Sequence, residues 1–594
     1  MPETSPTSAG EPAVRPAAGT GPRGRAPYPG LAAALARDAA LKARRKAEDT
    51  ACGTAAYRLL LRGPLPDRLA LHPDALTPAS LERAQDILRG RFALASGIVD
   101  VRDCSPFDAP GPDAWRAEIH RFEWLAHLEK AGGATAAYVG RALTEDWLDR
   151  HERFDAFAWR PEILGPRLVA WAAHFRFLNA SNDLVFRSRL MKALAEQARH
   201  LERYARTAPP GLALLEAASA LCVMSAALPE GEKRPLRAVE ALREALNSGL
   251  LDDGGIVTRA PHEQALAVAA LARAQRALAD ARRPQPPDLA AALEAARTCL
   301  GRLMHGDGRL ACFNGSGEGD EPWLAELRDA AASETGPARP ANWGYARLSA
   351  ASALVLFDCG GPPPGPHAAE AHAGPLAFEF SHRSARIVVN GGTARARGVE
   401  WREAARRTAA HATLQLNDQD AGSLLSGAAG ARLGPLLYGG RAQGSLEMGA
   451  EGQWAEGTHD LYRRSFGAVH RRRLFLNATG DDLRGEDRLT FPAQRVWCEA
   501  VIRFPLHPDC KATLAQSGDS VLIVPHDGEA WRFRTELVGL NEKLALEPHA
   551  YMGGETVRTA QAIVIRAMPA GREWTMRWAF KIEAPYKRTR RRLV

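Results

Sequence analysis

The segment CGGPPPGPHAAEAHAGP, residues 359–375, divides the chain into two patterns. Its proline and glycine density predicts an irregular connection. Upstream, from about residue 78 to 357, apolar residues recur at helical spacing. ALTPASLERAQDILRG offers Thr77 and Ser80 as caps, and DAWRAEIHRFEWLAHLEKAGG runs from Asp113 to a glycine pair. Blocks such as DLVFRSRLMKALAEQARHLERYART, GLALLEAASALCVMSAAL and HEQALAVAALARAQRALAD continue the pattern, and ANWGYARLSAASALVLFD reads as its last helix. Short connections between such blocks make helical hairpins, and no fixed period supports a regular solenoid. Downstream, LAFEFSHRSARIVVNGG, HRRRLFLNATGDDLRGEDRLTF, AQAIVIRAM and TMRWAFKI alternate apolar and polar residues between turn signals. That alternation predicts an antiparallel β-sandwich.

The expected organisation is therefore a multidomain α and β chain. It has an N-terminal extension (1–30), a helical domain (31–358), a linker (359–375), a β-sandwich domain (376–583) and a basic tail (584–594). The extension is rich in Pro, Gly, Ser and Thr and reads as disordered. The 594 residues carry a net charge of +8, which favours anionic partners. Acids interleave with most of the bases, so no nucleic-acid partner is expected, and the tail KRTRRRLV reads as a solvated terminus. No run of about 18 apolar residues predicts a membrane span. The eight scattered cysteines contain no CxxC and read as reduced thiols. With no apolar leader visible at the N-terminus, the expected location is cytoplasmic.

The stretch DDGGIVTRAPHEQAL, residues 252–266, places Asp, Arg, His and Glu around a glycine turn before a helix. Arg259 has the charge and fork geometry to grip a carboxylate. Glu263 and His262 open the helix, where Glu suits the dipole or could act as a base. His120 and Arg121 lie beside Trp115 and Trp124 in WRAEIHRFEWL. Such a stripe is either core or a sugar-stacking wall, and Trp159, Trp171 and Arg167 stand in the same position. Asn314 and Glu318 lie in the glycine-rich loop HGDGRLACFNGSGEGD. In the β region, His411 sits in AAHATLQL, Asp418 and Asp420 follow in a turn, and His459 and His470 flank DLYRRSFGA. His411, Asp418 and His459 make a candidate site for a divalent metal, zinc or calcium, if their strands converge. No other cofactor is indicated.

These pieces, in this order, resemble the heparinase II/III-like polysaccharide lyases. WRAEIHRFEWLAHL, LDDGGIVTRAP, HGDGRLACFNGSGEGD, FEFSHRSARIVVNGG, RRTAAHATLQLND and GTHDLYRRSFGAVHRRRLFL carry the resemblance over roughly residues 60–582. It implies an N-terminal (α/α) toroid packed on a C-terminal antiparallel β-sandwich. It also implies β-elimination on a uronate-containing glycan, with neutralisation of the carboxylate, a base for the C5 proton and an acid for the leaving oxygen. The implied partner is an acidic polysaccharide or oligosaccharide. By resemblance His411 is the sandwich histidine, acting as base or acid, and Arg259 binds the carboxylate with Glu263 or His262 as its partner. Where the family has an Asn, near Gly211 to Leu214, this chain has none. Where it has Tyr-His, this chain has Glu263 and Gln264. Two functions follow: a lyase with a rebuilt catalytic set, or a non-catalytic acidic-glycan-binding protein on the lyase scaffold. The resemblance also gives an alternative location, the periplasm or cell envelope.

Overall fold

The computed structural model describes residues 28–228, 233–328, 336–393, 399–491, 497–526, 528–537 and 542–583. The N-terminal extension up to residue 27 and the basic tail lie outside these residues. The helical half is a toroid. Its central helix, Leu212–Ala227, is buried on all sides and packs against Pro161–Ala173, Lys233–Gly249 and Pro261–Asp280. Gly165 lets Pro161–Ala173 cross this helix closely, because a Cβ there would lie 3.1 Å from the Ala220 methyl. Prolines at the first position of Pro161–Ala173 and Pro261–Asp280 give up an amide that has no intrahelical acceptor. Ser80 caps Leu81–Leu88, and Asp183 accepts from two amides of Leu184–Tyr204.

Among the described residues the β half forms three antiparallel sheets of four or more strands. The eight-stranded sheet runs from Ala442–Gly449 at one edge to Cys510–Leu514 at the other. Its inner face supplies Trp531, Phe533, Trp578 and Phe580. Phe378 stacks on Trp578 at 5.4 Å, and Phe504 meets Trp578 edge-on at 4.8 Å. Gly485 makes room for the Trp578 ring, which a Cβ would strike.

Two readings of the sequence need correction. ANWGYARLSAASALVLFD is not a helix: Tyr345–Ala350 and Ala353–Asp358 form a β-hairpin, with Ala351 at φ 47° in its turn. Both strands are almost wholly buried, so they lack the polar alternation that marks a half-exposed strand. The hairpin continues into Phe378–His382 and Ala385–Val388 in one sheet, so strands begin upstream of the proline-rich segment. Residues 359–375 therefore join two neighbouring strands of one sheet and do not link two domains. Ala368, Ala371 and Ala373 in that segment are buried. The sequence also concealed a short hairpin, Arg91–Leu94 with Gly97–Asp100, inside the helical half.

A buried charge network locks the sandwich. Asp487 accepts from Arg472 at 2.8 and 3.0 Å, from the Trp578 indole at 2.8 Å, and faces His470 Nε2 at 2.7 Å. Arg472 also donates to the carbonyls of Leu376 and Ala412. Burial opposes the Asp487 charge, but Arg472 and His470 hold its pKa well below 3.8. Its stabilising contribution is thus present above that value and lost as acid protonates it. Asp487→Ala would leave Arg472 charged and unpaired, and should lower unfolding free energy by about 3–5 kcal/mol at neutral pH, read from urea denaturation.

Candidate functional site

The turn at 251–261 is built by backbone geometry. Leu251 donates to Gly255 O at 2.7 Å, and Gly254 (φ +85°) lies where a Cβ would enter the Ala295 backbone. Asp253 accepts from Gly255 N and from Trp343 N, the latter at 2.8 Å. Gln264 is consumed by the same turn. It accepts from Ile256 N at 2.6 Å and donates to Gly254 O and Ala296 O. Thr258 Oγ1 donates to Glu263 at 2.7 Å, and His262 N donates to Ser316 Oγ at 2.9 Å. His262 and Glu263 are half-buried at the start of their helix.

Arg259 occupies the left-handed region at φ 59°, uncommon for a side chain of this size. Its guanidinium ion-pairs with Asp358 and donates to the carbonyls of Trp343, Gly344 and Gly361. Its carbon lies 4.8 Å from the Tyr345 ring centroid. Glycines at 344 and 360 press against it, and a Cβ at either would collide with the guanidinium. Burial works against its charge, but the Asp358 carboxylate more than compensates and raises its pKa. The Arg259 carbonyl accepts from Tyr345 Oη at 2.6 Å and from Asn314 Nδ2 at 3.3 Å.

Asn314 carries the contacts onward. Its Nδ2 donates to Tyr345 Oη at 2.8 Å, and its Oδ1 accepts from His372 N at 3.1 Å. His372 Nδ1 faces His411 Nε2 at 3.2 Å. The His411 ring packs on Gly374, where a Cβ would come within 2.7 Å. Burial, then the neighbouring His549, lower the His411 pKa to about 4, so the ring is neutral near pH 7. The next residue is fixed as well: Ala412 N donates to Asn390 Oδ1, and Asn390 donates to Glu379, which meets His305 Nε2 at 2.8 Å. Between Arg259, Asn314, Asp358, His372 and the Pro362–Pro363 pair only about 10 Å³ of cavity remains. That is room for about one water and not for a sugar ring.

Residues 360–374 close this junction. His367 lies over Gly211, the start of the central helix, within 3.3 Å of a Cβ built there. Arg406 ties the segment down by donating to Ala371 O at 2.9 Å and to Pro435 O at 2.7 Å.

A model of the heparinase II/III-like C-terminal domain matches residues 333–579. FtsZ-localized protein C from Caulobacter vibrioides is 32% identical over 538 residues, covering 87% of this chain and 90% of that protein. The chain belongs to the heparinase II/III-like family. Among solved structures, heparinase III aligns with a TM-score of 0.67 at 14% identity, over 94% of this chain and 92% of its own. A mutant of the heparan sulfate lyase HepC from Pedobacter heparinus aligns with a TM-score of 0.60 at 16% identity, over 93% and 91%. At these identities the likeness is one of fold, and it matches the expected toroid and sandwich.

Within this member of the heparinase II/III-like family, Arg259, Asn314 and His411 converge on one junction, with His262 and Glu263 at its edge. The other expected residues lie elsewhere. His120, Trp115 and Trp124 are core: His120 Nδ1 accepts from the Trp147 indole at 2.9 Å, and both tryptophans donate to backbone carbonyls. Burial drives the His120 pKa down to about 2. Trp159, Trp171 and Arg167 are equally buried. Arg121 is tied to Glu216 at 2.5 Å and Glu123 at 2.8 Å. A stripe at helical spacing was core because toroid helices bury more than one face. Glu318 is held by Tyr551 Oη at 2.5 Å and by His507.

The candidate metal trio does not assemble. His459 Nε2 faces His470 Nδ1 at 3.1 Å in the sandwich interior, whereas Asp418 sits in a tight turn with Asn417, both at positive φ. Among the described residues no cluster of three His, Cys or carboxylate groups could hold a metal. Sequence reasoning missed Asp358 and His372. Asp358 ended a block misread as helix, and His372 lay in a segment read as linker.

The buried neutral His411 has a pH consequence. The folded protein resists a proton that the unfolded chain takes up near 6.5, so stability is complete above 6.5 and falls as pH drops towards 4. His411→Gln should remove that part of the decline, a difference growing to about 3 kcal/mol by pH 4, measured by denaturation at a series of pH values.

Proposed function

We propose that this chain is a lyase-fold protein that binds an acidic glycan without cleaving it by β-elimination. The observation that carries the proposal is the commitment of Arg259, Gln264 and Asn314 to the joint itself. Arg259 neutralises Asp358, Gln264 and Asn314 satisfy backbone groups, and about 10 Å³ is left between them. β-Elimination needs a charge-neutralising group and a base within reach of C5. A guanidinium already paired in a buried site has no fork to offer a uronate.

Three observations support the glycan ligand. The family and its structural neighbours are polysaccharide lyases, one solved with chondroitin sulphate. The chain carries +8, which suits a polyanion. Half-buried His262, Glu263 and His367 edge the junction with polar side chains. The 32% identical relative is FtsZ-localized by name, and we carry that association over as the place where this chain works. Eight unpaired cysteines, seven of them buried, support a reducing, cytoplasmic setting.

The His372–His411 contact, with His411 neutral, favours the second reading, a lyase with a rebuilt base. Incubation with heparan sulfate, heparin, chondroitin, hyaluronan and alginate separates the two. The expected outcome is no rise in unsaturated-uronate absorbance, with saturable, salt-sensitive binding to at least one polymer. A rise that His411→Ala abolishes would establish the lyase reading instead.

A further inference from the structure

The first helix, Leu31–Cys52, is built unlike the others. Of its 22 residues only Cys52 is buried. Every residue from Ala39 to Arg44 is exposed, and Leu41 is 58% exposed. Half-buried residues occur at 31, 34, 35 and 38 and again at 45, 48 and 49, so packing is confined to the two ends. It is held at its ends, roughly 30 Å apart at 1.5 Å per residue.

The C-terminal end belongs to the toroid. Cys52 packs in the toroid core, and Arg45 lies 3.8 Å from Glu162 on the first turn of Pro161–Ala173. The N-terminal end belongs to the sandwich. Asp38 pairs with Arg432 at 2.7 Å, and Tyr28 meets Tyr438 edge-on at 5.3 Å. Arg432 lies in Gly427–Leu433, the helix the strap rests on. Tyr28 also packs on the small cluster formed by Ala368, Ala371, Ala373, Leu425 and Leu437. That cluster contains the segment filling the junction, so the strap grips both the sandwich and the plug.

We propose that Leu31–Cys52, with Tyr28, is a clasp that holds residues 360–374 in the cleft, and that release of its sandwich end opens the cleft between toroid and sandwich. The contacts at that end are few. The Asp38–Arg432 pair is partly solvated, its side chains 19% and 42% exposed. A partly solvated pair and one edge-on ring contact each contribute modestly, so the open form is within reach of a small perturbation. Residues 360–374 are tied by hydrogen bonds from Arg259, Arg402, Arg406 and Thr408 and by the His372 amide, contacts that can break locally without unfolding the sandwich core. This inference extends the reading of the chain as a glycan binder by naming what controls entry to the cleft.

Hydrogen exchange on the full chain tests it. Tyr28→Ala with Asp38→Ala should speed exchange of the amides of Ala371, His372 and Ala373 by roughly tenfold. Exchange in the strand Arg558–Ala567 should not change. Reversing the ion pair, Asp38→Arg with Arg432→Asp, should restore protection that either single change loses. Unchanged exchange at 371–373 in the Tyr28/Asp38 variant, or equal acceleration throughout the sandwich, would overturn the clasp. Hyaluronan binding measured on the same variants separates the two readings. Faster exchange with tighter binding supports both. Faster exchange with no binding in any form leaves the clasp standing and removes the acidic-glycan reading.

Discussion

The ion pair between Arg259 and Asp358 is the constraint around which the molecule is arranged. It joins the glycine turn of the toroid to the end of a sandwich strand, and both partners are withdrawn from water. A charge buried in this way is tolerated only with a partner and a full set of acceptors. Arg259 has both, through Asp358 and three carbonyls. Its requirements reach outwards. Glycines stand at 344 and 360 because the guanidinium fills the space beside them. Asn314 and Tyr345 are fixed because they share the Arg259 carbonyl. His372, and through it His411, is placed by Asn314.

That arrangement commits Arg259 and Asn314 to the joint between toroid and sandwich. In an open cleft an arginine at this turn could face a uronate. Here the same side chain faces an internal carboxylate, and Pro362 and Pro363 of the proline-rich segment line the small cavity beside it. The pair is one of several buried ties between the helical and β halves, with His305–Glu379, Arg386–Asp307 and Tyr551–Glu318, while the exposed first helix spans the outside. Burial of polar groups at a joint favours one relative placement of two large bodies over many loosely packed ones.

Much of the fold was legible because its signals are local. The cap at Ser80, the start at Asp113 and the alternation in Val469–Asn477 each fix an element within a few residues. The hairpin at 345–358 was not legible, because strands buried on both faces read like a helix until their partners are known. The site was legible in part. Arg259, Asn314 and His411 were found from residue type and order, but their partners were not. Asp358 lies 99 residues from Arg259, and His372 lies 58 from Asn314. No local pattern encodes a pairing at that separation. Nor could sequence distinguish an arginine that greets a ligand from one that greets a neighbour. The tryptophan stripe at 115–124 failed for the opposite reason: its spacing was read correctly, but core and cleft share it.

A double-mutant cycle at Arg259 and Asp358, with stability and glycan binding read on the same proteins, tests the central claim most directly. Arg259→Met and Asp358→Leu should each destabilise the fold by about 3–5 kcal/mol, and the double variant should recover most of that loss. Affinity for the bound polymer should be unchanged throughout. Small, additive stability effects, together with loss of glycan binding in Arg259→Met alone, would contradict the account and return Arg259 to the role of a ligand-binding residue.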